Sequence, residues 1–119
     1  MVVKFASKEK RNTDLSFESE YKVLSIHHVQ KLDEIGCFEV KFRVLNDNGI
    51  AALYNPNIFK VVDSNLDKDF VYKSYDNGNY EFVPYSMSYP YFWDHFFDDD
   101  EKAISIFKER FPEYKDKLF

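Results

Sequence analysis

Three histidines, one cysteine and a dense block of carboxylates are the groups in this chain with the chemistry for catalysis or metal binding. His95 stands between Asp94 and Asp98, and on a helix His95 and Asp98 share one turn at i,i+3 spacing. A metal site needs a third ligand, and the sequence specifies none. His27 and His28 are adjacent, so on a strand they face opposite sides and cannot hold one metal together. Cys37 stands within reach of either histidine across a hairpin, the nucleophile and base pairing of a thiol enzyme. The competing expectation is a small buried hydrophobe at the start of an apolar strand. The run DDDE, Asp98 to Glu101, lacks the alternating oxygen ligands and central glycine of a calcium loop. Gly36, Gly49 and Gly78 all fall at turn positions, so no loop is built to cradle a phosphate, and no G-x-S-x-G or S-x-x-K motif is present. The expectation is a protein without catalytic residues, metal or cofactor.

What remains is the stretch YPYFWDHFFDDDE, where the most aromatic patch of the chain runs into its most acidic one. Two expectations attach to it. As structure, Asp98 is the N-cap of a C-terminal helix with Glu101 three residues on, a capping box, while Asp99 and Asp100 favour the positive end of the helix dipole. Tyr91, Phe92, Phe96 and Phe97 then form a preceding helical turn whose rings close one end of a barrel, with Trp93 burying the most area. As function, Tyr89, Tyr91 and Trp93 supply contact area to a partner, and Asp94, Asp98, Asp99, Asp100 and Glu101 steer it. The charge layout favours a basic partner: residues 1–60 carry 9 basic and 8 acidic side chains, net +1, and residues 61–119 carry 7 and 13, net −6.

These groups must be positioned by a single domain, since 119 residues is near the commonest domain size and 45% hydrophobic with 19% aromatic residues supplies a core. A formal net charge of −5 and a pI near 5.2 argue against a nucleic-acid or anionic-membrane surface, both of which demand basic faces. No run reaches the roughly 18 apolar residues of a membrane span, and MVVKFASKEKRN is too short in apolar residues for a secretory signal. With one cysteine and no internal disulfide, the expected location is the cytoplasm.

Residues 6–20 read as a loop or short helical turn. YKVLSIHHVQKL (21–32) reads as a strand. CFEVKFRVL alternates cleanly, with Phe38, Val40, Phe42 and Val44 on one face and Glu39, Lys41 and Arg43 on the other, a half-buried antiparallel strand. NDNG (46–49) is a hairpin turn that leads into IAALY, and IFKVV (58–62) is a further short strand after Asn55-Pro56-Asn57. FVYKSY and YEFV flank a second turn, DNGN (76–79). From Asp98 the period becomes helical, with Ala103, Ile104, Phe107 and Phe111 on one face, and Pro112 ends the helix or starts a final turn. The fold class is mainly β (α+β): a small antiparallel SH3-like barrel or curved sheet of five to six strands (about 21–83), followed by an aromatic turn and C-terminal helix (about 90–111).

The run ALYNPNIFKVVDSNLDKDFVYKSY, followed by VPYSMSYPYFWDHFFDDDEKAISIF, resembles small bacterial proteins of SH3-like barrel type, several of which are immunity proteins beside polymorphic toxins. The similarity spans Ile50 to Phe111 and rests on apolar, fold-determining positions. It implies a non-enzymatic protein that neutralises a basic toxin domain by occluding its cleft. The alternatives are an interaction module of a phage or host complex, and a small-molecule enzyme or metal protein using His95 or Cys37.

Overall fold

The computed structural model describes residues 1–7, 14–31, 33–75 and 77–119. Among these residues seven strands, all paired antiparallel, precede two helices: β1 (Val2–Phe5), β2 (Glu20–Gln30), β3 (Phe38–Leu45), β4 (Ala51–Tyr54), β5 (Phe59–Asp63), β6 (Phe70–Ser74), β7 (Tyr80–Pro84), α1 (Phe92–Phe97) and α2 (Glu101–Arg110). A 3-10 turn, Pro56–Ile58, joins β4 to β5, and another, Pro112–Tyr114, follows α2 at the expected proline. The sequence pattern yields five or six strands because it carries no strand signal at β1. Its four residues abut a polar stretch, and pairing with β2 and β5, not local pattern, makes them a strand.

The long strand β2 organises the sheet. β3 and then β4 lie on one side of it; on the other, its first residues pair with β1 and its later ones with β7. The result is the order β4-β3-β2-β1-β5 with a branch that carries β7 and β6. The sheet is therefore forked and open, not a closed barrel. A register shift between Val23 and Ser25 marks the fork, as a β-bulge bends the strand. Val23 and Leu24, consecutive on the strand and so on opposite faces, enter different cores.

One core lies where β1, β2, β3 and β5 curl together, around Val3, Phe5, Val23, Phe42, Val44, Ile58 and Phe59. The other lies between the sheet and the helices, around Leu24, Val83, Met87, Phe92, Trp93, Phe96, Phe107 and Phe111. Ala103, Phe107 and Phe111 are buried as the helical period predicts, Ile104 is half-buried, and Lys102, Lys108 and Glu109 face solvent. Arg110 pins the end of α2 to the loop before β6, since its guanidinium donates to both carboxylate oxygens of Asp69 at 2.6 and 2.8 Å and to Asp67 at 2.7 Å. That two-pronged geometry is what arginine offers over lysine.

Both predicted hairpins form. In the β3–β4 turn Asn46 Oδ1 accepts from the N–H groups of Asn48 and Ile50, and Gly49 takes φ 78°. In the β6–β7 turn the Tyr75 N–H donates to the Asn79 carbonyl and Gly78 takes φ 85°; Asp76 lies outside the described residues, as do Leu32 and residues 8–13 of the expected 6–20 loop.

On β3 the alternation holds as geometry and fails as burial. Val44 pairs with Val23, Phe42 with Ile26 and Val40 with His28 on one face, yet Val40 is exposed while Arg43, on the opposite face, is buried. The reason is α1, which covers the Arg43 face.

Candidate functional site

The aromatic-acidic stretch folds as two helices that share it. In α1 the side chains of Phe92, Trp93 and Phe96 form the inward stripe, and Asp94, His95 and Phe97 point out. Asp98 ends α1, its N–H donating to the Asp94 carbonyl at 3.0 Å. The chain then turns through Asp99 at φ 59°, and Asp100 caps α2 by accepting from the Lys102 and Ala103 N–H groups at 2.8 and 3.1 Å. The expected cap at Asp98 is therefore corrected to Asp100, and Glu101 becomes the first residue of α2. A preceding helix uses Asp98, so the next one starts two residues later.

All five carboxylates of this junction, Asp94, Asp98, Asp99, Asp100 and Glu101, are exposed. His95 Nδ1 lies 3.9 Å from Asp100, and the other four make no ion pair among the described residues, although Asp94 is near enough to Arg43 to favour its charged form. The aromatic residues divide. Trp93 is 8% exposed and Tyr89 half-buried against Phe92, whereas Tyr91 is 67% and Phe97 48% exposed. Tyr91 occupies left-handed backbone, φ 63°, ahead of α1. Of the four rings expected to close one end of a barrel, Phe92 and Phe96 are buried while Tyr91 and Phe97 are exposed, because the inward stripe of α1 turns Phe97 outward and Tyr91 precedes the helix.

Tyr91, Trp93 and Asp94 also border a cleft of about 340 Å³ over the sheet, and beneath it lies a buried polar cluster that the sequence did not announce. Arg43 stacks on Trp93, its guanidinium carbon 4.4 Å from the ring centroid and 5.3 Å from that of Phe97, and donates to the Ala51 carbonyl at 2.7 Å. Burial pulls its pKa down to about 10 against the pull of Glu81, Asp94 and Tyr75, so it stays charged at neutral pH. Glu81 accepts a short hydrogen bond from the Tyr75 hydroxyl, and burial followed by that bond pushes the Tyr75 phenol up.

Opposite Glu81 on β2, burial and then the Arg43 charge push His27 down to about 3. His27 is thus neutral at physiological pH, and its 3.5 Å approach to Glu81 is not an ion pair. The tautomer that suits both neighbours carries its proton on Nδ1, facing Glu81, while Nε2 accepts from the Ser25 hydroxyl at 2.6 Å. Ser25, His27 and Glu81 thereby follow the serine-base-acid order of a hydrolase. Ser25 has no exposed surface, however, and a base near pKa 3 takes no proton at neutral pH. The chain's own packing uses this trio.

The other chemical candidates disperse. Cys37 is exposed in the loop before β3, not buried as the hydrophobe expectation had it, and the β2–β3 register sets His27 opposite Lys41 and His28 opposite Val40, away from it. His28 is stacked between Phe38 and Tyr80 at 4.7 and 4.3 Å on the outer face. No group of three metal-ligating side chains gathers among the described residues, and no helix is long and apolar enough to cross a membrane. Compared with known proteins, the chain matches no family model, no curated protein and no solved structure.

Proposed function

We propose that the chain is a non-enzymatic binding protein that neutralises a basic protein partner by occluding its cleft, as an immunity protein does with a toxin domain. The observation that carries this reading is the α1–α2 junction, where four exposed carboxylates make no ion pair among the described residues, beside exposed Tyr91 and Phe97. Self-repulsion among fixed like charges costs stability, and a basic partner recovers it while steering encounter. Tyr91 adds support, because strained backbone gathers where a side chain must be presented.

The SH3-like reading draws support from the strand order β4-β3-β2-β1-β5, in which β5 returns beside β1 after a 3-10 turn. A cytoplasmic location fits the lone, unpaired Cys37. The test is capture of a partner from the source cell at low salt. The expected partner is basic, and its activity falls as the chain is titrated to one equivalent. An acidic partner, or a stoichiometric complex that leaves that activity intact, contradicts the proposal. Phage structural proteins as the only partners would favour the interaction-module alternative.

A further inference from the structure

At the same junction, the β3–β4 turn, the end of α1, the start of α2 and the C-terminal segment line a groove of about 220 Å³. Its walls are apolar: Ile50, Ala51, Phe97, Ile104 and Leu118, with Asp99 at the rim. Phe97 and Ile50, 43% exposed, leave large apolar surface open there. A second depression, which shares Asp99 and Ile104 with the first, continues it along α2 past Glu101 towards Ser105 and Lys108. An apolar trough thus opens at one end between Asp99 and Glu101, neither of which makes an ion pair among the described residues, with Lys108 farther along the α2 wall.

We infer that this groove is a peptide-docking site for a short segment of the partner that inserts one apolar side chain between Phe97 and Ile104 and sets lysine or arginine against Asp99 and Glu101. The inference rests on the partner-binding reading above and adds where the contact is centred and what the partner must carry. Charge complementarity selects the occupant. An uncharged apolar segment would cover the trough and leave Asp99 and Glu101 facing a desolvated rim, whereas flanking cations pair with both. An acidic segment would be repelled. An apolar anchor in a pocket encircled by charge at its edge is also the usual energetic layout of a contact, with the anchor setting dissociation and the rim setting encounter. Two of its walls, α2 and the turn held at Asn46, are braced by their own hydrogen bonds, which lowers the ordering cost of binding.

Selection of displayed random peptides on the whole chain tests this directly. The winning peptides are expected to carry an apolar residue with lysine or arginine nearby. Two variants probe each half of the site without disturbing the fold. Asp99→Asn with Glu101→Gln removes the rim charges, and asparagine tolerates the left-handed backbone at position 99. Ile50→Lys places a cation at the exposed mouth of the trough. Each variant should weaken the winning peptides by about tenfold or more. Selection of no peptide, of peptides without basic residues, or of peptides that bind both variants as tightly as the parent chain overturns the inference. If a captured basic partner loses affinity on charge reversal at Asp94 and Asp98 yet ignores Ile50→Lys and the rim double variant, the groove is wrong and the partner-binding reading stands.

Discussion

Tyr91 holds φ 63° with its ring largely in solvent, and a left-handed L-residue costs roughly 1–2 kcal/mol. Tyr91→Asn should therefore be at least as stable as the parent chain by denaturant midpoint, while a partner complex dissociates faster. A lowered midpoint would mean that the ring stabilises the fold and is not held out for a contact. His27 makes a second residue-scale prediction. Its folded pKa, about 3, lies below the ordinary 6.5, so between those values the unfolded chain binds the extra proton and stability falls as the pH drops. The slope from this group reaches about 1.4 kcal/mol per pH unit. His27→Gln should flatten the unfolding profile between pH 6.5 and 5, above the range in which ordinary carboxylates dominate; an unchanged profile would place the titration elsewhere. Arg43 shows why such groups stay hidden in a sequence. Its alternation with Phe42 and Val44 reads as a solvent face, and only α1, some fifty positions later, covers it.

At the scale of elements, the α1–α2 junction depends on which aspartate caps which helix. Asp100→Ala should cost about 1 kcal/mol of stability, and Asp98→Ala, which loses no side-chain cap bond, markedly less. Equal losses would move the start of α2. Gly49 ties the first hairpin to the C-terminal segment, since its carbonyl accepts from the Phe119 N–H and an added Cβ would lie 2.3 Å from the Lys117 carbonyl oxygen. With φ at 78° as well, Gly49→Ala should cost more than about 1 kcal/mol and release amide exchange protection in the last residues. The hairpins and α2 were legible because turn chemistry and helical period are local signals. β1 and the division of the acidic run between two helices were not, because each is decided by a neighbour: the pairing of Val3 with Tyr21 and Val61, and the ending of α1 on Asp98.

The acidic second half of the chain is only partly paired: Asp67 and Asp69 meet Arg110 and Glu113 meets Lys22, whereas four of the five exposed carboxylates at the α1–α2 junction make no ion pair among the described residues. The sequence already held that asymmetry, with −6 on residues 61–119, and it named the junction carboxylates. It offered Trp93 both as the most buried ring and as a contact residue, and it did not show that Trp93 packs on Arg43 while Phe97 and Ile50 stay open, because that follows from packing of α1 on the sheet. On the proposed reading, the α1–α2 junction meets a basic partner. The most direct test is the association rate of a captured partner measured across salt, for the parent chain and for Asp94→Lys with Asp98→Lys. Rim charges act on encounter, and salt screens them over about 10 Å at 0.1 M. The parent chain should associate fast at low salt and slow steeply as salt rises, while the lysine variant should associate slowly with a flatter profile at unchanged stability. Equal rates for the two chains at every salt concentration would contradict the account.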